Sequence, residues 1–164
     1  MVVGPDYMRA MRTAEADQVD LMLRQAFAGD SEARLVCNLR AAGQIEMEMV
    51  LPWEGEVLGY LALSRRVAPQ IWLALAPVAI APAWQGRRLG ARLVAMTMKL
   101  VAIKAQSVVV IGKPSSYARA GFSVARAAGL RTPYPAHVTG FAGPGDDMPQ
   151  AEVTYPDAFA RSGA

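Results

Sequence analysis

Residues 75–100, LAPVAIAPAWQGRRLGARLVAMTMKL, run from an apolar strand through a turn at Gln85 and Gly86 into a helix. The helix is expected over residues 87–106, and its apolar side chains recur at steps of four and three, at Leu89, Leu93, Met96, Leu100 and Ile103. The first backbone N–H groups of a helix lack intrahelical partners and lie at the positive end of its dipole. A phosphate group is therefore expected to bind where this strand meets the helix.

The composition indicates a folded protein with a mild positive charge. Its 164 residues are 53% hydrophobic and 19% charged, which excludes disorder and suffices for one core. Seventeen Lys and Arg against 14 Asp and Glu are too small an excess to indicate nucleic-acid binding. No apolar run reaches the roughly 20 residues of a membrane span, and residues 1–11 do not resemble a signal peptide. One cysteine, Cys37, excludes an intramolecular disulfide, and we expect a cytoplasmic location.

Hydrophobic periodicity predicts a mixed sheet with helices on both faces, in the order β-α-α-β-β-β-α-β-α-β. Strands are expected over residues 7–12, 45–54, 57–67, 71–80, 107–112 and 122–127, with a hairpin turn at 54–56. Helices are expected over residues 14–28, 31–43, 87–106 and 114–121, with N-caps at Thr13 and Ser31 and ends at Gly29 and Gly43. From about residue 129 the chain is rich in Pro and Gly, and only residues 137–142 and 151–155 indicate further strands.

Pro77 interrupts the apolar strand over residues 71–80. Proline donates no hydrogen bond to a sheet, so inside a strand it usually marks a bulge or an edge. A bulge would splay the neighbouring strands and leave the backbone of Val78 and Ile80 open to an extended ligand that carries amides. The alternative is that Pro77 simply ends the strand.

Three arginines follow this strand, at positions 87, 88 and 92. Such a local cluster fits a compact anion better than a long polyanion, and each guanidinium can form charge-assisted hydrogen bonds with phosphate oxygens. A ligand with amides at one end and a pyrophosphate at the other is coenzyme A. The strand, the turn and the helix start together predict a coenzyme A site.

These motifs resemble the GNAT superfamily of acetyl-CoA-dependent N-acetyltransferases. Residues 78–82, VAIAP, match the family's strand end Val-x-Val/Ile-x-Pro, and residues 85–90, QGRRLG, match its Gln/Arg-x-x-Gly-x-Gly/Ala motif in part. Residues 111–122, IGKPSSYARAGF, are similar to the family's Tyr-x-x-x-Gly-Phe segment. Together with the tail EVTYPDAF at residues 152–159, they are most similar to the branch of predicted bacterial acetyltransferases typified by YhbS.

The resemblance implies an α/β (α+β) GNAT fold, with a mostly antiparallel sheet splayed at its fourth strand. It implies one domain over residues 1–164, in which the segment from about residue 129 completes the acceptor side. Acetyl-CoA would be the co-substrate, and its acetyl group would move to a primary amine by direct attack in a ternary complex. The implied binding residues are Val78, Ala79, Ile80, Gln85, Gly86, Arg87, Arg88, Leu89, Gly90, Ala91 and Ser115.

The chain departs from the family pattern at Arg88, where the family's first glycine falls. We expect Arg88 to adopt helical backbone angles without strain. Its N–H would then still point towards the phosphates while its side chain turns aside or binds a phosphate itself.

The resemblance also implies that Tyr117 is the general acid. A phenol of pKa about 10 is protonated at neutral pH and can protonate a thiolate whose conjugate acid has a pKa of about 8.5. A backbone N–H within residues 78–80 would polarise the carbonyl that is attacked. The alternative is that Tyr117 only packs against the sheet. The sequence does not identify the general base. Glu32, Glu46 and Glu48 are candidates, and each is also compatible with a solvated surface acid.

Other readings stay open beside this one. Cys37 and His137 could form a thiol nucleophile and its base, although Cys37 beside Val36 is expected to pack in the core. No metal is expected, because one Cys and one His do not make a typical zinc site. A catalytically idle acyl-CoA-binding module and an RNA-directed protein are alternative functions. The family resemblance is compatible with a homodimer, and Tyr155 and Phe159 are candidates for the wall of the acceptor pocket.

Overall fold

The computed structural model describes residues 4–5, 7–67 and 72–162, apart from the side chains of residues 66–67, 114–115 and 162. The strands are β1 (Arg9–Ala10), β2 (Ile45–Trp53), β3 (Glu56–Val67), β4 (Trp72–Ile80), β5 (Val108–Ile111), β6 (Leu130–Arg131), β7 (Thr139–Ala142) and β8 (Ala151–Glu152). The α-helices are α1 (Ala16–Phe27), α2 (Ser31–Ala41), α3 (Leu89–Ile103), α4 (Pro114–Tyr117) and α5 (Asp157–Ser162). No helix within those residues has the length and apolar character needed to cross a membrane.

The main sheet has the strand order β1-β2-β3-β4-β5-β7, and β6 pairs with β8 separately. Its neighbours are antiparallel except for β4 and β5, which run parallel because α3 crosses over between them. β2 and β3 form the predicted hairpin, whose turn residues Glu54 and Gly55 have φ values of 49° and 81°. Such a turn matches the twist of the strands that it joins. The predicted mixed and mostly antiparallel sheet is confirmed.

The alternation of side chains along the strands divides the core between the two faces of the sheet. The face that packs against α3 contributes Leu51, Leu61, Leu63 and Leu75. The face that packs against α1 and α2 contributes Val50, Tyr60, Ala62 and Ala79. Helices therefore cover both faces, as the sequence predicts.

The apolar face predicted for α3 is confirmed at Leu89, Leu93 and the partly buried Met96, and is wrong at Leu100 and Ile103. Leu100 is 40% exposed and Ile103 is 81% exposed, while Val94, Met98 and Val101 are buried against the sheet. Apolar residues occupy most positions of α3, so spacing alone does not single out the face that contacts the sheet. Packing against the sheet determines which face of α3 is buried.

The first helix starts later than predicted. Thr13 is not its N-cap, because residues 13–15 form a 3-10 turn and α1 starts at Ala16. The Glu15 carboxylate accepts the Arg12 N–H at 2.8 Å and binds the Arg9 guanidinium at 2.7 Å, which holds this turn in place. At the other end Ala28, with φ 51°, takes the left-handed position expected of Gly29.

The second helix includes Ser31 as its first residue, so Asp30 and not Ser31 is the N-cap. The strand predicted over residues 122–127 is also wrong. Only Ser123 forms a bridge, to Phe141, and residues 126–129 form a 3-10 turn. The Arg126 guanidinium donates to the carbonyls of Gly143 and Pro144, which ties this turn to the loop after β7 and takes it out of the sheet.

A partly buried polar network joins α2 to the sheet. The Tyr60 hydroxyl and Arg40 Nη2 each donate to Glu48 Oε1 at 2.6 Å. Burial, then the Glu48 carboxylate, raises the pKa of the fully buried Tyr60, so its phenol stays a donor. Hydrogen bonds to a charged group are stronger than neutral ones. The network therefore helps to fix α2 against β2 and β3.

The substitution Tyr60→Phe should lower the free energy of unfolding by about 1.5 kcal/mol, because it removes one hydrogen bond to a charged acceptor. Urea unfolding measures this difference. Tyr7→Phe is the matched control, since Tyr7 is 55% exposed, and it should leave the midpoint unchanged. Equal midpoints for the two variants would contradict the role given to this network.

Candidate active site

β4 changes its pairing at Pro77, whose peptide bond to Ala76 is cis. Val78 lies opposite Leu61 on β3, and Leu75 lies opposite Leu63, so β4 uses one residue more than β3 between these pairs. Of the two alternatives for Pro77, the strand therefore has a bulge and does not end there. Pairing with β5 covers only residues 73–75 of β4, opposite residues 108–110. The sheet is therefore splayed after Leu75.

The backbone N–H and C=O groups of Val78 and Ile80 face the edge of β4 that is no longer paired with β5. The Ala81 N–H donates to the Leu58 carbonyl of β3 at 2.8 Å, and backbone groups alternate sides along a strand. Val78 and Ile80 therefore point away from β3, whereas Ala79 points towards it. Gln85 Nε2 donates to the Ile80 carbonyl at 3.0 Å from the open side. The remaining groups of this edge suit an extended ligand that carries amides.

The turn after β4 leads into the start of α3. Leu89, Gly90 and Ala91 are the first three residues of the helix, and the Arg92 N–H makes a helical hydrogen bond, to the Arg88 carbonyl at 3.1 Å. The N–H groups of the three residues before Arg92 lack intrahelical acceptors, and the first turn has no acidic residue. The positive end of the α3 dipole at this turn therefore suits a bound anion.

Arg88 does not have the helical backbone angles predicted for it. Its φ of 60° and ψ of 20° lie in the left-handed region, just before α3. Residues with a Cβ are strained there by about 1–2 kcal/mol, whereas glycine is not. A glycine at this position, as in the family motif, relieves strain as well as leaving room for a ligand.

The three arginines of the turn do not form one free cluster. The Arg87 guanidinium lies 4.6 Å from the centre of the Trp84 ring, and Arg92 Nη1 donates to the Pro5 carbonyl at 3.5 Å. Arg87, Arg88 and Arg92 are all exposed. Two of the three guanidiniums are therefore engaged within the chain.

A pocket of about 340 Å³ lies where β4 and β5 diverge. Its lining includes Pro77 and Val78 of β4, Ile111 and Gly112 at the end of β5, and Tyr117 of α4. The open edge of β4 is thus part of this pocket. The same strand then continues to the anion-compatible start of α3.

Tyr117 is held at the pocket by close packing. A Cβ at Gly112 would lie 2.7 Å from Cε2 of the Tyr117 ring, so glycine permits this approach. The edge of Phe122 contacts the ring, with centroids 6.1 Å apart. Burial raises the pKa of the Tyr117 phenol, so it is protonated at neutral pH and able to donate a proton. The tyrosine both packs and lines the pocket.

Of the three candidate bases, Glu32 lines this pocket. Its Oε2 atom is buried and has no hydrogen-bond partner in the part of the chain that the structure describes. Glu48 is not a solvated surface acid, because it is bound to Tyr60 and Arg40. Glu46 is exposed and lies 3.5 Å from the Arg65 guanidinium.

The C-terminal segment supplies the outer wall. Tyr134 and Phe159 line the pocket, and both also line a neighbouring cavity of about 700 Å³. Tyr155 lines only the neighbouring cavity and packs on both rings, with centroid distances of 5.1 and 5.2 Å. Burial raises the pKa of Tyr155 to about 12. The proline-rich segment therefore reaches the site through aromatic contacts.

The remaining candidates lie elsewhere. Cys37 is exposed on α2 rather than packed, because it falls on the outer side of that helix, and neither Cys37 nor His137 lines the pocket of Tyr117. Ser115 belongs to α4, but its side chain falls outside the described residues. In the part of the chain that the structure describes, no three His, Cys, Asp or Glu residues group as a metal site.

Sequence reasoning missed Phe27, Gly112 and Tyr134. The sequence does mark Gly112, because a glycine five residues before Tyr117 in a strand-to-helix turn indicates that another group packs closely against its backbone. No sequence pattern marks Phe27 or Tyr134 as a pocket residue, because each reaches the pocket only through the packing of separate elements.

The chain is similar to known proteins over most of its length. The model of the Acetyltransferase (GNAT) family matches residues 17–109. YhbS of Escherichia coli K12, an uncharacterized N-acetyltransferase, is 33% identical over 132 residues, which cover 77% of this chain and 79% of YhbS.

Two solved structures share the fold closely. The crystal structure of Escherichia coli YhbS in complex with CoA has a TM-score of 0.87 and 28% identity, and covers 98% of this chain and 95% of that one. The crystal structure of a GNAT family acetyltransferase from Brucella melitensis in complex with acetyl-CoA has a TM-score of 0.79 and 28% identity. The match covers 93% of this chain and 97% of that one.

The substitution Arg88→Gly should raise the free energy of unfolding by about 0.5–1 kcal/mol, since the relief of left-handed strain exceeds the added freedom of the unfolded chain. Urea unfolding measures the change. Arg87→Gly is the neighbouring control; its backbone is not left-handed, and it loses the contact with Trp84, so it should destabilise the protein. A destabilised Arg88→Gly variant would show that Arg88 is not strained.

Proposed function

The chain belongs to the GNAT acetyltransferase family, and from this premise we propose that it transfers an acetyl group from acetyl-CoA to a primary amine. The observation that carries the proposal is the order of three features along one segment of the chain: the pocket of Tyr117 includes Val78 of the open β4 edge, and β4 leads through a short turn into the start of α3. A ligand that spans these features needs a reactive group at one end, amides in the middle and a phosphate at the other end.

Acetyl-CoA fits each of these features as the co-substrate. The amides of its pantetheine arm match the outward backbone of Val78 and Ile80, and its pyrophosphate matches the N–H groups from Gly86 to Ala91. The Arg88 side chain is exposed beside those groups and can contact a phosphate oxygen. The bound CoA of Escherichia coli YhbS and the bound acetyl-CoA of the Brucella melitensis protein support this assignment. Ser115 stays in the proposed site by family resemblance alone.

When bound, acetyl-CoA supplies a thioester whose carbonyl carbon is attacked by a neutral amine nitrogen. A C–N bond forms, the C–S bond breaks, and the products are an N-acetyl amide and the thiol of CoA. A backbone N–H at the β4 edge is placed to polarise the carbonyl oxygen. We propose that the attack occurs directly in a ternary complex, because no thiol of this chain lines the pocket.

Tyr117 is the proposed general acid. Its phenol lies at the pocket and is kept protonated by burial, so it can give its proton to the departing thiolate. The proton that the amine nitrogen loses goes to solvent or to a carboxylate of the pocket. The phenolate regains a proton from solvent before the next turnover.

The proposal includes one domain over residues 1–164, in which the segment from about residue 129 walls the acceptor side through Tyr134 and Phe159. It also includes a cytoplasmic location, which the single exposed Cys37 fits. The acceptor is an amine of a small molecule or of a protein. The RNA-directed alternative has less support, because Arg87 and Arg92 are engaged within the chain.

Isothermal titration calorimetry should show that the wild type binds acetyl-CoA and that Ala91→Glu weakens this binding about tenfold or more, because a carboxylate at the start of α3 repels the pyrophosphate. Ala102→Glu is the matched control, since Ala102 is exposed near the other end of the same helix. It should bind acetyl-CoA like the wild type. Equal affinities for both variants would place the phosphates elsewhere.

Thiol release with a panel of amines distinguishes the enzyme from an idle acyl-CoA-binding module. The wild type should release CoA only when acetyl-CoA and an amine are both present. Binding of acetyl-CoA without thiol release from any amine would favour the idle module.

The substitution Tyr117→Phe should lower kcat about 100-fold and leave the Kd of acetyl-CoA unchanged, because it removes the proton donor but keeps the ring. Thiol release gives kcat, and calorimetry gives the Kd. Tyr7→Phe, at an exposed tyrosine, should change neither value. An unchanged kcat in Tyr117→Phe would leave Tyr117 with a packing role only.

A further inference from the structure

We propose that Glu32 binds the ammonium group of the acceptor, that this group then loses one proton to solvent and attacks as the neutral amine, and that the acceptor is a primary amine with a single positive charge on an apolar or aromatic body. This inference rests on the proposed function and narrows its acceptor. It concerns the wall of the pocket that faces β4 and Tyr117, which is supplied by α1, α2 and the C-terminal segment.

One oxygen of the half-buried Glu32 carboxylate lacks a hydrogen-bond partner among the described residues. The Glu32 side chain lines a pocket of about 340 Å³, and this oxygen, Oε2, is covered by neighbouring atoms. A buried carboxylate oxygen without a partner is costly, and such atoms are rare in folded proteins. A cation in the pocket would pair with the Glu32 carboxylate and offset this cost.

The position of Glu32 suits a bound cation. Glu32 is the second residue of α2, and the positive end of the helix dipole stabilises a negative charge there. The side chain is half-buried, so the carboxylate is partly removed from water, and its attraction for an ammonium group is stronger than at an exposed site.

The rest of the pocket selects against a second charge. Glu32 is the one acidic side chain among the described residues that line it, and the walls around it are largely apolar or aromatic, including Phe27, Leu35, Leu75 and Phe159. A polyamine would leave further ammonium groups against these walls, and an amino sugar would leave hydroxyl groups there without partners. An aromatic or aliphatic monoamine meets both requirements, because its body is apolar and its single charge meets Glu32.

Steady-state kinetics with three probe amines test the proposal. 2-Phenylethylamine carries one charge on an aromatic body, spermidine is a polycation, and glucosamine is an amino sugar. With saturating acetyl-CoA, the wild type should show a kcat/KM for 2-phenylethylamine at least about tenfold above the other two. Glu32→Gln should raise the KM for 2-phenylethylamine about 10- to 100-fold, with a much smaller change in kcat, because it removes a hydrogen bond to a charged group.

The control variant is Glu46→Gln, the same substitution at an exposed glutamate outside the pocket, and it should keep the wild-type KM. Glu32→Asp retains the charge and should recover part of the lost affinity for 2-phenylethylamine. Calorimetry with acetyl-CoA shows that each variant is folded and binds the co-substrate.

Three outcomes are decisive. A KM in Glu32→Gln equal to that of the wild type overturns the role of Glu32. Preference of the wild type for spermidine or glucosamine, with normal acetyl-CoA binding, overturns the acceptor class while the proposed function stands. A wild type that neither binds acetyl-CoA nor releases CoA with any amine overturns the proposed function, and this inference with it.

Discussion

The unpaired edge of β4 is the feature on which the rest of the site depends. Beyond Pro77 the strand keeps β3 on one side and loses β5 on the other. Backbone N–H and C=O groups that are buried without partners raise the free energy of the folded state, so this edge needs a partner from solvent or from a ligand. One group is satisfied internally, since the Gln85 side chain binds the Ile80 carbonyl. That bond also holds the turn against the strand, so the strand edge and the start of α3 keep a fixed relation.

The turn between β4 and α3 is fixed from two sides. On one side Trp84 packs between Trp53, at a centroid distance of 6.3 Å, and the Arg87 guanidinium. On the other side Leu89 anchors the first turn of α3 in the core. Arg88 lies between these anchors with a left-handed backbone, and strain of this kind persists only where the surrounding structure over-determines the conformation. The N–H groups of the helix start therefore point in a direction set by packing, whichever residue stands at position 88.

Much of the fold was predictable because β2, β3, β4 and β5 are long or continuously apolar, and their pattern and the hairpin turn have few alternative readings. The errors arose where local pattern and tertiary contact disagree. Residues 122–127 have a strand-like composition, yet Phe122 is buried by the Tyr117 ring and the guanidinium of Arg126 draws the chain into a turn. Leu100 and Ile103 fit a helical stripe with Leu93, but in the second half of α3 the side chains buried in the core are those of Val94, Met98 and Val101 instead. The left-handed backbone of Arg88 could not be predicted, because the residues around it show no pattern that indicates a strained conformation.

The two halves of the proposed site differ in how they are built, and this explains which half the sequence reveals. The proposed co-substrate side is one contiguous segment, residues 75–91, whose backbone groups would bind the ligand, so a short motif is enough to recognise it. The acceptor side joins Glu32 of α2, Tyr134 of an irregular loop and Phe159 of α5, residues that are far apart in the sequence. No spacing rule links them, and their meeting depends on how α2 and the C-terminal segment pack against the sheet. Chemistry common to a family can therefore reside in the contiguous half, while the choice of amine can change through separate substitutions in the assembled half.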